Sequence, residues 1–264
     1  MKNEDTFFSI CGAPKAGTAS LHQYLGEHPR IFMSDPKETD FFQHHYDRGW
    51  QWFESCFAPV GEEDVFGEES PRNMIHPEAA RRIADHRPDA KLIFILRDPV
   101  ERAYSQHLYS VMRGTDASSV SFSELIRDQN SEWGRRVLEL GLYYDQLRRF
   151  ERHFSRGQLW IGLFRDFREN NEAFVRDIFN FLGVDPSVRV EPEEKHNTTR
   201  YPRSKVMLRL AQALGACQVE SARENGRTTL RCAQHCSGRA LSVRESEEAL
   251  NEIGRQSIPP KLLR

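Results

Sequence analysis

Short apolar runs recur along the chain, each followed by a stretch whose apolar residues return at helical spacing. TFFSIC (6–11) reads as a buried strand, then come a glycine-rich turn and a helix from about Thr18 to Glu27. VFGEES (65–70) reads as another strand, and HPEAARRIADHRP as a helix ended by Pro88. KLIFIL (91–96) is the clearest strand, with five consecutive apolar residues after Lys91. Asp98 and Pro99 then supply an N-cap and a proline at the first helical position, predicting a helix to about Arg113. In LGLYYDQLRRFERHF, Leu142, Leu147, Phe150 and Phe154 recur near helical spacing. QLWIGLF (158–164) reads as a further strand, and NEAFVRDIFNFLG as a helix closed by Gly183. Strands alternating with helices predict an α/β fold, a central parallel sheet flanked by helices. EPEEKHNTTRYPRS (191–204) reads as a long polar loop, and 217–242 is irregular and basic without an assignable element. No break in composition marks a second domain, so one domain over 1–264 is expected, with its core at about 6–183 and a loop-rich, helical part at 184–264.

The 264 residues suffice for a substantial core without metal or disulfide support. A net charge of −2 argues against a general nucleic-acid partner. No apolar run approaches the roughly 20 residues of a membrane span. MKNEDTFFSIC lacks the apolar stretch of a secretion signal, so a cytoplasmic protein is expected, or else the excised luminal catalytic part of something longer. Five cysteines at irregular spacing do not make a full disulfide framework. Cys232 and Cys236 flank His235, but no second pair completes a zinc site, and no metal is expected.

The turn GAPKAGTAS (12–20) keeps the two-glycine spacing of a nucleoside-triphosphate loop, G-x-x-x-x-G-K-[ST]. Thr18 stands where the lysine belongs, Ala19 where a hydroxyl would hold magnesium, and Lys15 comes early. Small residues at Gly12, Ala13, Ala16 and Gly17 let an anion approach the main chain, while Thr18 and Ser20 can donate hydroxyls. Taken alone, the stretch reads equally as a structural turn with a surface lysine. ILRDPVERAYSQ (95–106) places Arg97 at the carboxyl end of the clearest strand, where parallel sheets bind ligands. Ser105 follows about two helical turns later. An arginine fork and a hydroxyl suit a second phosphate, the plainer reading being a strand-end arginine and an exposed serine. Arg97 also occupies the place of an ATPase's magnesium-holding Asp. The ligand implied has two separated phosphate groups and no obligatory metal.

Together these residues resemble the sulfotransferases that use 3′-phosphoadenosine 5′-phosphosulfate (PAPS), and within them the heparan sulfate N- and 3-O-sulfotransferase branch. The family's K-x-G-T loop is matched by Lys15, Ala16, Gly17 and Thr18, and its LRDPxERxxS segment by Arg97 through Ser105. HPRIFMSDPKETDFF, YDRGWQWFESCF and GEESPRNM extend the similarity, which runs from about residue 6 to 183 and less clearly to 241. The resemblance implies a P-loop-like fold and PAPS as cofactor, leaving 3′,5′-adenosine bisphosphate (PAP) as product. It implies that Lys15 and the loop through Ala19 and Ser20 take the 5′-phosphosulfate, and that Arg97 and Ser105 take the 3′-phosphate. The base implied is Glu38, in KETDFF; His44 and His45 are the competing bases, since imidazole titrates near neutrality. A late K-G-R-A segment is matched by Ser237, Gly238, Arg239 and Ala240, implying a part that closes over the nucleotide and a Cys217–Cys232 pairing.

The chain departs from the family at Glu69-Ser70-Pro71, where a lysine is usual before the S/T-P, and this puts an anionic polysaccharide acceptor in doubt. The stretch 203–231 reads as an insertion relative to the family, and the IPPKLLR end lacks the family's usual acidic-aromatic finish. Carbohydrate and small-molecule acceptors stay open. Phe41, Phe42, Trp50, Trp52 and Phe53 can stack on an acceptor ring, though core is the commoner fate of such a group. The competing functions are a magnesium-dependent nucleotide kinase or ATPase, and a binding module that has lost its chemistry.

Overall fold

The computed structural model describes residues 5–57, 63–113, 120–128 and 130–190. Among these, β1 (Thr6–Gly12), β2 (Ile31–Met33), β3 (Val65–Glu69), β4 (Lys91–Leu96) and β5 (Leu159–Leu163) form one parallel sheet. The strand order is β2-β3-β1-β4-β5. From β1 the chain goes out to the edge strand β2 and returns to β3 beside β1, then crosses to β4 and β5 on the other side. The switch in direction therefore falls between β1 and β4, the place where open α/β sheets leave a crevice at their strand ends. Both strands are apolar almost throughout because both faces of the sheet are covered, which removes the alternation of a half-exposed strand.

The helices are α1 (Thr18–Gly26), α2 (Trp50–Ser55), α3 (Ala79–His86), α4 (Pro99–Arg113), α5 (Phe122–Arg127), α6 (Glu132–Glu139), α7 (Tyr143–Phe150), α8 (Phe164–Glu169) and α9 (Asn171–Leu182). The expected α/β class and parallel sheet are what the chain adopts. α9 ends as its sequence dictates: Gly183 takes φ +85°, a left-handed C-cap that glycine adopts without strain.

The described residues form two compact units, 5–97 with 142–190, and 98–141. The first holds the whole sheet. Its core is aromatic, with Phe7, Phe8, Phe41, Phe42, Phe53, Phe94 and Phe150 fully buried. Phe41 stacks on Phe53 at 4.8 Å, so these rings are core and not an acceptor platform. The second unit, α4 to α6, is closed by Ala103, Leu125 and Val137 with Phe122 and Trp133 around them. Arg102, fully buried, donates to the Val137 carbonyl at 2.5 Å, and Ser121 starts α5 with a capping box to Glu124.

One expectation needs correction. Leu142 does not lie on the apolar face of a helix; it precedes α7 and is 42% exposed. The fully buried residue is Tyr143, which combines an apolar ring with a hydroxyl that donates to the Arg97 carbonyl at 2.9 Å. Helical spacing alone could not tell a leucine at the cap from a tyrosine one position on, because both lie near the same stripe.

Candidate functional site

The site grows from the switch point. β1 runs into the loop 13–17, and the Ala13 N–H donates to the Ile95 carbonyl of β4 at 2.8 Å, which ties the loop to the neighbouring strand. Two residues of the loop take left-handed backbone: Lys15 at φ +69° and Gly17 at φ +87°. At Gly17 the glycine is needed twice over, since a Cβ there would meet the Phe164 ring at 2.8 Å. A Cβ at Gly12 would strike the Met74 side chain at 2.7 Å. Gly17 is the N-cap of α1, no side chain caps that end, and no acid lies in its first turn. The helix thus presents its positive end at the loop, the arrangement that favours an anion.

Arg97 stands one residue beyond β4. Its Nη1 donates to the Lys15 carbonyl at 3.1 Å, its guanidinium lies 4.8 Å from the Phe164 ring centre, and Tyr143 holds its own carbonyl. Lys15, Gly17 and Arg97 are therefore brought together at the ends of two adjacent strands. Thr18 is buried, while Ala19 and Ser20 are partly exposed on the first turn of α1. Ser105 is a buried residue of α4 in the other compact unit. Ser237, Gly238 and Arg239, the Cys217–Cys232 pairing and the stretch 203–231 lie outside the described residues. Cys11 and Cys56 are buried free thiols.

The three base candidates occupy one stretch. Glu38, His44 and His45 are all exposed. The His45 ring lies 5.7 Å from Trp52, and His44 lies 6.4 Å from His76. Glu38 is flanked by two anchored neighbours. Lys37 pairs with Glu69 at 3.1 Å, and the Thr39 hydroxyl donates to Glu68 at 3.1 Å. The charge of Glu38 is felt at Glu69, whose carboxyl burial raises above the usual range; the Lys37 ammonium and the Thr18 hydroxyl oppose that rise.

Motif reading passed over three residues here. Phe164 packs on both Gly17 and Arg97; its only signal was an apolar residue at the carboxyl end of a strand. His22 lies 3.8 Å from Glu69 on α1, in no motif. Burial, and after it the Lys37 charge, lower its pKa to about 4, and the long approach to Glu69 does not hold a proton on it. Glu68 is the third, fully buried at the centre of a polar network. Among the described residues no cluster of metal-ligating side chains occurs, and no helix is long and apolar enough to cross a membrane.

Residues 5–230 match the family model described as a sulfotransferase domain. A crystal structure of a sulfotransferase from Alicyclobacillus acidocaldarius is 30% identical with a TM-score of 0.64, the match covering 72% of this chain and 86% of that one. The heparan sulfate glucosamine 3-O-sulfotransferase 3A1 of Mus musculus is 28% identical over 66% of this chain and 45% of its own. The bifunctional heparan sulfate N-deacetylase/N-sulfotransferase 3 of Mus musculus is 32% identical over 68% of this chain and 22% of its own. The chain thus spans less than half the length of these two relatives. With a matching domain model over most of its length and a solved relative of the same fold, this chain belongs to the sulfotransferase family.

Proposed function

We propose that this protein transfers a sulfuryl group from PAPS to a hydroxyl or amine of a carbohydrate or small-molecule acceptor. The observation that carries the reading is the meeting of the Lys15 loop and Arg97 at the ends of β1 and β4, joined by the 3.1 Å bond from Arg97 to the Lys15 carbonyl. The glycine cradle under Phe164 and the uncapped start of α1 fit an anion approaching the main chain. When bound, PAPS supplies the sulfuryl group and a phosphate leaving group. Lys15 and the loop from Ala16 to Ser20 would hold its 5′ end, and Lys15 with the loop N–H groups would stabilise charge there. Arg97 would hold the 3′-phosphate through its guanidinium fork. Ser105 enters this reading through the LRDPVERAYS segment alone, and Ser237, Gly238 and Arg239 through the resemblance alone.

Glu38 is the proposed base, taking the acceptor's proton at its carboxylate. Its place between the anchored residues Lys37 and Thr39 supports this, since an exposed carboxylate on a fixed segment can reach an acceptor without being mobile itself. His44 and His45 lie further along, beyond the buried Phe41 and Phe42. The heparan sulfate names of the mouse relatives support a carbohydrate acceptor.

The discriminating measurement is thermal melting with ligand. PAP is expected to raise the melting temperature far more than ATP with magnesium. Equal shifts would overturn the sulfotransferase reading in favour of a nucleotide kinase or ATPase.

A further inference from the structure

Phe164 opens α8 directly after β5, and its ring touches both groups proposed to hold the two phosphates. Its Cε2 and Cδ2 edge lies 2.8 and 3.0 Å from where a Cβ on Gly17 would fall, at the left-handed residue that starts α1. The Arg97 guanidinium carbon lies over the same ring, 4.8 Å from its centre. Phe164 is partly buried and packs against the main core, so the ring is a fixed surface. Arg97 is also held at two other points: Nη1 donates to the Lys15 carbonyl at 3.1 Å, and its own carbonyl accepts from Tyr143 at 2.9 Å. The bond to Lys15 places one nitrogen without fixing the plane of the fork; an aromatic face beneath the guanidinium limits its rotation. A second guanidinium, Arg168 on α8, lies 5.9 Å from the ring centre, at the outer limit of such a contact, so the ring acts chiefly on Arg97.

We propose that Phe164 is a positioning residue: seated on Gly17, its ring holds the Arg97 guanidinium at a set distance from the Lys15 loop, and so matches the site to a nucleotide carrying both a 5′ and a 3′ phosphate. A ring face attracts the cation and leaves the N–H edge of the fork for an anion, so the fork is aimed before the ligand arrives. Gly17 completes the arrangement, because any side chain there would displace the ring. Resting on the sulfuryl-transfer reading for the identity of the ligand, this role puts part of the 3′-phosphate selectivity in an apolar residue that acts through Arg97.

The test is calorimetric titration of the full chain with PAP and with adenosine 5′-monophosphate, which differ only in the 3′-phosphate. Wild type is expected to bind PAP about a hundredfold more tightly. Phe164→Leu keeps an apolar side chain but removes the ring, and is expected to reduce that ratio about fivefold, with most of the loss on PAP. Phe164→Tyr keeps the ring and is expected to keep the ratio. Pentafluorophenylalanine at position 164 keeps the ring's shape and reverses the charge of its face, so it should lower the ratio at least as much as leucine. If Phe164→Leu does not fold, the fluorinated ring decides alone. A ring that only fills space would leave the ratio unchanged on fluorination, and a ring that stacks on the base would, once removed, weaken both ligands alike; either result overturns the inference. Wild type that binds the two nucleotides equally, or binds neither, sinks the PAPS reading and this role with it. A strong PAP preference that the leucine and fluorinated variants leave untouched sinks this role alone.

Discussion

Glu68 and Glu69 are chain neighbours on the same strand, both buried, and they live in opposite worlds. Glu68 accepts four hydrogen bonds: from Ser9 at 2.6 Å and Asn73 at 2.7 Å on one oxygen, and from Ser70 at 2.6 Å and Thr39 at 3.1 Å on the other. All its donors are neutral, and they come from β1, from the segment before Phe41 and from the turn after β3. Glu69 points to the other face, as the period of a strand requires, and finds one cation and no well-formed hydrogen bond. Burial raises the carboxyl pKa of both. What separates the two carboxylates is therefore satisfaction, not burial. Glu68 also serves the site indirectly. Through Thr39 and through Ser70, whose hydroxyl accepts from the Asp40 N–H at 3.1 Å, it fixes the segment that carries Glu38.

The largest effect should come from residues that face the ligand. Lys15→Ala is expected to lower turnover by about 10²–10³, the cost of losing one charged stabiliser of the leaving group, with PAP binding weakened far less. Glu38→Gln should abolish transfer while His44→Ala and His45→Ala stay active. All four side chains are partly or fully exposed, so their melting temperatures should remain near wild type. A Lys15→Ala defect confined to nucleotide binding, or activity lost in a histidine variant and kept in Glu38→Gln, would reassign the roles.

Next comes the stability contrast between the two carboxylates. Glu68→Ala strands buried donors on Ser9, Thr39, Ser70 and Asn73, and should cost about 3–5 kcal/mol in denaturant unfolding. Glu69→Ala removes a carboxylate that made no well-formed hydrogen bond and leaves a half-exposed lysine, so about 1 kcal/mol or less is expected. Comparable losses at both positions would end the distinction between them.

The strands and the phosphate loop were legible because each rests on a local pattern: an apolar run, a glycine spacing, a Pro99 start or a Gly183 stop. β2 escaped because three residues, Ile31–Met33, are too few for any period to show. α5 and α6 escaped because their polar segment is closed by only a few apolar residues, Leu125 and Val137 among them. The Glu68–Glu69 contrast was beyond local pattern altogether. The donors to Glu68 include Ser9, 59 positions away, and Thr39, 29 away, and nothing in GEES says which carboxylate will find them. The same holds for Phe164, which reaches the loop only because β5 ends beside it in space.

The smallest expected effect is in the pH dependence of stability, and it tests the surroundings of Glu69 directly. His22 has its pKa lowered from 6.5 to about 4 by burial, with the Lys37 charge adding to it. The unfolded chain takes up this proton below about pH 6.5 and the folded chain only near 4, so His22 makes stability fall as pH drops through that window. Its full contribution is at most about 3 kcal/mol. The buried carboxyls act in the other sense: with folded pKa values above the unfolded ones, Glu68 and Glu69 bind protons more readily when folded, and mild acid relieves their burial. The two trends oppose each other in the wild type. His22→Gln removes the acid-labile partner and keeps the carboxyls, so the variant should lose less stability than wild type between about pH 7 and about pH 5, or gain some. Other histidines with lowered pKa values, His28, His76, His86 and His107, titrate equally in both proteins, so the difference in slope belongs to His22. Parallel slopes in urea unfolding at the two pH values would mean that His22 is not held neutral beside Glu69.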